Sequence, residues 1–329
     1  MTPLKSVEPE YLAYQGLFQN MPKKDLEWLL CKLRDYKIKR RSTLNIDKKI
    51  SFGIELEFCD ILLLYVEKRL KENERLKDWL SVYDKSCSYK ADNYIIGGEV
   101  DTGILHDTKE EWETLREALT ILKELKAHIT DKNGLHVHIG SQIFGYDINN
   151  VIRFIKVWCI FEHVIFRFGY GQSKYGRSRI LSFAHPLAQE VTLKYQFMPY
   201  MLDYLEEPEF LHYDKTYALN FSNYHNLTEE EERNNTIEIR CANGSLSMST
   251  IQNTVNFYLK LMQYVTSTTY DEELINKAFK KLKPKDFDSY SKPYIKDALL
   301  LCDLIFDNNL DKINFLKQYI KKDDPIFVR

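Results

Sequence analysis

The sequence predicts an α+β fold with helical additions at both ends. Between residues 50 and 265, short strand-like runs alternate with longer helical ones. Four of the short runs place charged or imidazole side chains at every second position, which is the spacing of one face of a strand. The two ends of the chain carry apolar residues at helical spacing. We therefore predict a helical N-terminal extension over 1–48, a central domain over 49–268 and a helical C-terminal tail over 269–329.

Composition narrows the class of protein. With 44% hydrophobic and 29% charged residues, the 329-residue chain resembles ordinary soluble globular proteins. The net charge of -2 argues against a protein that binds nucleic acid over its whole surface. The apolar run Ile61–Val66 is far shorter than the roughly 20 residues of a membrane span. The six cysteines include no CxxC pair and are interpreted as buried thiols of a cytoplasmic protein. From the charge and the short apolar run we expect a protein that binds neither nucleic acid nor membrane.

Three helices are predicted within the central domain. Thr108–Lys126 has an apolar stripe, and Thr108 and Glu111 have the spacing of a capping box. Two more buried helices are predicted over 150–168 and 250–265.

The terminal segments are predicted to be helical as well. A helix begins near Asp25 and leads into the basic stretch Lys37–Arg41, which we interpret as a solvated charge run. The C-terminal tail is interrupted near Pro284 and Pro293. Either segment could dock a protein partner.

Four predicted strands carry charge on the face opposite their apolar side chains. In Phe52–Phe58 the apolar residues share one face, and Glu55 and Glu57 share the other. The same alternation pairs His136 with His138 in Gly134–Gly140, Glu238 with Arg240 in Thr236–Cys241, and Glu99 with Asp101 in Tyr94–Asp101.

These strands together predict a metal site, although each alone is typical of a half-exposed sheet. Two carboxylates 4 Å apart repel by about 4 kcal/mol at an effective dielectric near 20, so a cluster of them needs counter-ions. Arg240 alone cannot balance the charge of this many carboxylates. Lysine, which commonly protects exposed strands, is absent from all four strand cores. The dominance of carboxylates favours Mg²⁺, while an imidazole among the ligands favours Mn²⁺.

The same motifs resemble the amidoligase family, which is related to glutamine synthetase and glutamate–cysteine ligase. They occur in the family's order and cover residues 50 to 265; they are Gly53–Phe58, Gly98–Val100, Gly134–Ser141 and Thr236–Leu246. The resemblance implies a curved antiparallel sheet flanked by helices, like the glutamine synthetase catalytic domain. Its concave face would hold ATP and two divalent ions.

By the same resemblance, individual residues acquire expected roles. Glu57 and Glu99 would bind one ion, and Glu55, His136 and Glu238 the other. His138 would lie near the nucleotide phosphates and Arg240 near the transferred phosphoryl group. Further phosphate or substrate contacts would come from Lys174, Arg177, Arg179 and Asn220.

Two features depart from the family pattern or stay open. Many relatives have a Ser-Pro pair where this chain has Asp101-Thr102-Gly103, which would alter the acceptor side of the pocket. A third carboxylate for the first ion could be Asp107 or Asp101. The base that takes the ammonium proton could be Glu99, Asp101 or a substrate carboxylate.

The resemblance implies an ATP-dependent carboxylate–amine ligase that forms an amide through an acyl phosphate. Its substrates would be a small-molecule or peptide carboxylate and an amine. One alternative is a metal-dependent hydrolase that binds zinc through His136 and His138, although His163, His185 and His212 lack a supporting pattern. Another is a non-catalytic relative that binds a nucleotide or peptide.

Overall fold

An antiparallel sheet forms the centre of the computed structural model, which describes residues 14–170, 180–197, 215–224 and 235–320. The described residues form eight strands in one sheet. The strands are β1 (Ser51–Leu62), β2 (Leu80–Val82), β3 (Tyr89–Ala91), β4 (Tyr94–Asp101), β5 (Leu105–His106), β6 (Gly134–Gly140), β7 (Leu219–Asn220) and β8 (Thr236–Asn243).

The sheet order is β2-β4-β1-β6-β8-β7, with β3 paired to β4 and β5 paired to β1. Every one of these pairs is antiparallel. The three strands with the strongest charge alternation, β1, β6 and β8, are neighbours at the middle of the sheet. The predicted α+β class and antiparallel sheet are therefore confirmed.

Helices lie between groups of these strands and follow the last strand along the chain. The predicted helices over 108–126, 150–168 and 250–265 are confirmed, and the Thr108 hydroxyl caps the first of them by accepting a hydrogen bond from the Glu111 backbone N–H. The helices are α1 (Lys23–Leu33), α2 (Leu63–Lys71), α3 (Lys109–Glu124), α4 (Ile148–Gly169), α5 (Ile180–Phe183), α6 (Ala188–Phe197), α7 (Met248–Tyr264), α8 (Glu272–Lys280), α9 (Ile295–Ile305) and α10 (Asn309–Tyr319). No helix in the described ranges has the length and apolar character needed to cross a bilayer.

Helices cover the apolar face of the sheet. Phe52, Ile54 and Leu56 of β1 are buried, and the Phe52 ring stacks on Trp112 of α3 with centroids 5.3 Å apart. Helix α4 packs on β8, and α7 packs on β6. Each large apolar side chain buried in this way contributes about 1.5–3 kcal/mol. The helical layer therefore holds the three central strands in place and leaves their other face for polar side chains.

The terminal segments contact each other. The Asp303 carboxylate of α9 accepts the backbone N–H groups of Phe18 and Gln19. Arg41 forms an ion pair of 2.8 Å with buried Asp311 of α10, so the prediction of a solvated charge run is wrong at this position. The rest of that basic stretch is largely exposed. Residues 1–13 of the predicted N-terminal extension lie outside the described residues. From residue 14 onward the extension is helical mainly over α1, and residues 36–40 follow an irregular path.

Asp107 joins the extension to the sheet. Its buried carboxylate accepts the backbone N–H groups of Leu44 and Ile46 and the indole N–H of Trp112, at 2.7–3.0 Å. Each oxygen accepts two of these hydrogen bonds, which leaves no lone pair for a metal ion, so Asp107 has a structural role. Of the two candidates for a third carboxylate ligand, Asp101 is therefore the better placed.

The Asp107→Asn variant should be less stable than the wild type by about 2–4 kcal/mol, because its amide group would face backbone donors that need an acceptor. Urea unfolding followed by circular dichroism measures the difference. Asp78→Asn, at an exposed position, should change the free energy of unfolding by less than about 0.5 kcal/mol. Equal stability of Asp107→Asn and wild type would contradict the structural role.

Candidate metal-binding and active site

The strand register places the candidate ligands in rows across one face of the sheet. Glu55 of β1 lies opposite Asp101 of β4 on one side and opposite His136 of β6 on the other. In the next row, Glu57 lies opposite Glu99. Directly paired residues in a sheet point to the same face. The structure therefore brings together acids that are separated by more than forty residues in the chain.

The rows continue into β8 and β7. His138 lies opposite Glu238, which in turn lies opposite Asn220. The register shifts between the pairs Leu135–Ala242 and Val137–Ile239, so β8 carries one extra residue there. Such a bulge bends the strand locally and turns its side chains. It lies at Arg240, next to the acidic rows.

Both imidazoles lie among carboxylates. His136 is buried, with Nδ1 2.5 Å from Glu55 Oε2 and 3.3 Å from Glu238 Oε1, and Nε2 3.3 Å from Glu57 Oε1. His138 Nε2 lies 2.7 Å from Glu55 Oε1. Burial opposes ionisation of Glu55, but hydrogen bonds from both imidazoles hold its pKa well below the usual range. Burial also opposes the charged form of His138, yet Glu55 and Glu238 raise its pKa overall.

Glu238 is held by two partners on the β8 side. Asn220 Nδ2 donates to Glu238 Oε2 at 2.8 Å, and the Arg240 guanidinium donates to Oε1. Arg240 Nε also donates to the carbonyl oxygen of Phe183 at 3.1 Å. Arg240 is therefore fixed at both ends of its guanidinium, beside the acidic rows.

The side chains of Glu55, His138 and Glu238 form a group that could bind a metal ion. One donor atom from each residue lies within 4.8 Å of the other two. The resemblance assigns His136 to this set, and its Nδ1 also lies close to Glu55 and Glu238. Both imidazoles are therefore within reach of the same position, and the choice of His136 stays a prediction.

An open cavity of about 820 Å³ adjoins this group. Glu55, Asp101 and His138 line the cavity on the sheet side. Basic and amide side chains from surrounding segments also line the cavity, namely Lys49, His106, Gln142, Asn223 and Asn235. Cavities of this size accept ligands as large as nucleotides.

The carboxyl groups on β4 are strongly perturbed. Burial, then Glu55 and Asp101, raise the pKa of Glu99 to about 9. Burial and Glu55 raise the pKa of Asp101 to about 6. Among the described residues, none donates a hydrogen bond to the buried Oδ1 of Asp101. Raised carboxyl pKa values in a cleft are typical of functional sites. Here burial, together with the neighbouring carboxylates, favours the protonated forms.

Two residues of this region could not be recognised in the sequence. Asp84 and Cys87 follow β2. A carboxylate oxygen of Asp84, the Cys87 sulfur and a carboxylate oxygen of Glu57 all lie within 4.8 Å of one another. Burial and the charges of Glu57 and Asp84 hold the pKa of the Cys87 thiol well above its usual range. The only local signal is a set of turn-forming residues, Asp84 to Ser88, which indicates a turn but not its target.

The expected phosphate-binding residues Lys174, Arg177 and Arg179 lie outside the described residues. His212, which has no supporting pattern as a ligand for the hydrolase alternative, does too. His163 is buried against Asp297, with Nε2 2.8 Å from Oδ2, and the backbone of His185 forms an isolated β-bridge with Tyr217. Neither histidine belongs to the two groups of potential metal ligands that the described residues form, which are Glu55, His138 and Glu238, and Glu57, Asp84 and Cys87.

The fold and site define an α+β protein with an acidic, imidazole-containing cleft on one face of an antiparallel sheet. Residues 48–262 match the family model described as putative amidoligase enzyme. The match covers more than half of the chain, so the chain belongs to the amidoligase family. Membership implies a ligase-type enzyme. No curated protein matches the chain significantly.

The raised carboxyl pKa values predict how stability depends on pH in the absence of metal. Glu99 and Asp101 bind more protons in the folded than in the unfolded protein, so stability should fall as pH rises from about 5 to about 9. Urea unfolding in the presence of a chelator measures this slope. Glu99→Gln should reduce the slope but not abolish it, because the raised pKa of His138 acts in the same direction. Glu74→Gln, at an exposed position, should retain the wild-type slope. A free energy of unfolding that increases with pH in the wild type would contradict the raised pKa values of Glu99 and Asp101.

Proposed function

We propose that this protein is an ATP-dependent carboxylate–amine ligase that forms an amide through an acyl phosphate. The observation that carries the proposal is the shared sheet face that presents Glu55, Glu57, Glu99, Glu238 and two imidazoles beside a nucleotide-sized cavity. Family membership supports the ligase class. ATP, the divalent ions and the substrates are part of the proposal.

The donor set fits divalent cations. Carboxylate oxygens dominate it, and their mutual repulsion decreases when a cation lies between them. Glu55 and Glu238, with an imidazole, would hold one ion, while Glu57 and Glu99 would hold the other. When bound, these ions would neutralise charge on the phosphate oxygens of ATP. The donors suit Mg²⁺ or Mn²⁺.

The cavity beside His138 suits the nucleotide. Lys49 and His138 provide positive charge or N–H donors, and Gly53 and Gly103 leave the backbone accessible along its wall. The amide side chains around the rim, including Gln142 and Asn235, can form hydrogen bonds with a base or ribose. The γ-phosphoryl group would then point toward Glu55 and Arg240.

The residues of the chain support two chemical steps. In the first, the substrate carboxylate attacks the γ-phosphorus of ATP, ADP leaves, and an acyl phosphate forms. Two anions meet in this step, and the guanidinium of Arg240 stabilises the charge on the transferred group because Phe183 and Glu238 hold it in place. In the second, an amine attacks the acyl carbon and phosphate leaves.

The second step also requires a base for the ammonium proton of the acceptor. Glu99 and Asp101 are candidates on this face. Burial and Glu55 raise the pKa of Asp101 to about 6, so its carboxylate can accept a proton near neutral pH. The pKa of Glu99 is raised to about 9, so Glu99 could act as the base only after a bound cation had displaced its proton. Asp101 lines the cavity, and its Oδ1 accepts no hydrogen bond from the described residues. A carboxylate of the substrate is the third candidate.

The substrates can be found by an ADP-release screen. Pooled carboxylates and amines are incubated with ATP and Mg²⁺ or Mn²⁺, and mass spectrometry identifies any condensed product. ADP release that requires both a carboxylate and an amine, with an amide as product, supports the ligase. Retention of zinc or iron through purification, with hydrolysis and no use of ATP, would replace it by a hydrolase. ATP binding without turnover over the whole panel would indicate a binding protein.

Glu55→Gln and Glu238→Gln should each lower the rate of ADP formation at least about 10²–10³-fold, because each removes a carboxylate from the cation group. The fold should persist, since glutamine preserves the size of the side chain; circular dichroism checks this. Glu74→Gln, an exposed substitution outside the site, should retain wild-type turnover. Full activity of either site variant with the true substrate pair would contradict the assigned roles.

A further inference from the structure

The turn between β2 and β3 reaches the end of the acidic face that lies away from the cavity. It places Asp84 and Cys87 beside Glu57, with one donor atom from each of the three within 4.8 Å of the others. Glu57 and Cys87 are buried. A tetrahedral metal ion with oxygen ligands near 2.1 Å and a sulfur ligand near 2.3 Å holds these donors about 3.4–3.6 Å apart. The three donors therefore need to approach one another by at most about 1.4 Å to bind it.

Neighbouring residues hold the two donors in this position. Ser86 donates to the Asp84 carboxylate through its backbone N–H, at 2.8 Å, and through its hydroxyl, at 2.6 Å. The Cys87 thiol donates to the carbonyl oxygen of Gly98 at 3.5 Å. Hydrogen bonds of this kind orient ligands around metal sites.

Gly97 allows the turn to approach the sheet this closely. Its φ of +80° lies in the region that favours glycine, and a Cβ there would lie 2.6 Å from the Cys87 carbonyl oxygen. It would also lie 3.1 Å from the carbonyl oxygen of Phe58. A larger residue would push the turn away from Glu57, so the sequence at this position is suited to keeping Cys87 beside the acids.

We propose that Asp84 and Cys87 complete the cation site of Glu57, and that the Cys87 sulfur makes this site prefer Co²⁺ or Zn²⁺ to Mg²⁺. The inference rests on the metal-binding part of the proposed function. Thiolates select softer transition metals, whereas carboxylates alone suit Mg²⁺. On binding, the thiol S–H bond breaks, the sulfur bonds to the metal, and the proton passes to solvent.

Cobalt provides a direct test that does not need turnover. Metal-free protein is titrated with Co²⁺, and the near-ultraviolet sulfur-to-cobalt charge-transfer absorption is recorded. The background for all samples is Cys31→Ser, which removes the exposed thiol. We expect the absorption in this background and its loss in Cys31→Ser/Cys87→Ser. The second substitution should also weaken Co²⁺ binding by at least about 10–100-fold, the loss typical of removing even an outer partner of a ligand.

A second variant keeps the test decisive if Cys87→Ser fails to fold. Asp84→Asn should weaken Co²⁺ binding about 10-fold or more while the sulfur-to-cobalt absorption persists at saturation. Absence of that absorption in the Cys31→Ser background, or its persistence after loss of Cys87, would overturn the inference. These outcomes are independent of the ADP-release screen. Cobalt–sulfur absorption without ADP release would reject the ligase and retain the metal site. ADP release without cobalt–sulfur absorption would retain the ligase and reject the metal site.

Discussion

The repulsion among like charges on one sheet face is the constraint on which the rest of the structure depends. Glu57 and Glu238 are buried, and Glu55, Glu99 and Asp101 lie in the same rows. At an effective dielectric near 20, each close pair of carboxylates would cost about 4 kcal/mol if both were charged. Two imidazoles and one guanidinium offset part of this cost. Burial, Glu55 and Asp101 raise the pKa of Glu99 to about 9, which favours its protonated form at neutral pH. The apolar face of the same strands, covered by α3, α4 and α7, stabilises an arrangement that the acidic face opposes.

Support for the site extends into the segments that flank the family match. Glu162 of α4 is buried and accepts hydrogen bonds from the Trp158 indole, from the Leu187 and Ala188 backbone, and from the Tyr290 hydroxyl of the C-terminal tail. Leu187 closely follows Phe183, whose carbonyl oxygen receives Arg240 Nε. One buried carboxylate therefore links the C-terminal tail, the centre of α4 and the segment that orients Arg240. The tail contributes to the site through this contact.

Alternation of residue types was sufficient to predict the four acidic or imidazole-bearing strands β1, β4, β6 and β8 and the face on which these side chains lie, because the period of two is a local property. It also predicted α3 with its Thr108 cap. The short strands β2, β3 and β5 carry no such pattern and were not predicted. Local pattern could not predict the position of Asp84 and Cys87, since their approach depends on a register shift between β1 and β4 and on the conformation of Gly97. The same reason explains the error at Arg41, whose partner Asp311 is 270 residues away. Contacts that close long loops leave little trace in any single segment.

The two ends of the acidic face offer chemically different donors. Glu55 and Glu57 are two residues apart, so their backbone positions differ by about 6.6 Å along β1, a separation that convergent side chains can reduce to that of paired metals. The Glu55 end has oxygen and imidazole donors and adjoins the cavity, where a hard cation could arrive and leave with the nucleotide. The Glu57 end has a buried sulfur and lies away from the cavity, so a cation there would be held more tightly. One ion would then accompany each nucleotide while the other stays with the protein, and the carboxylate substrate would be activated between them.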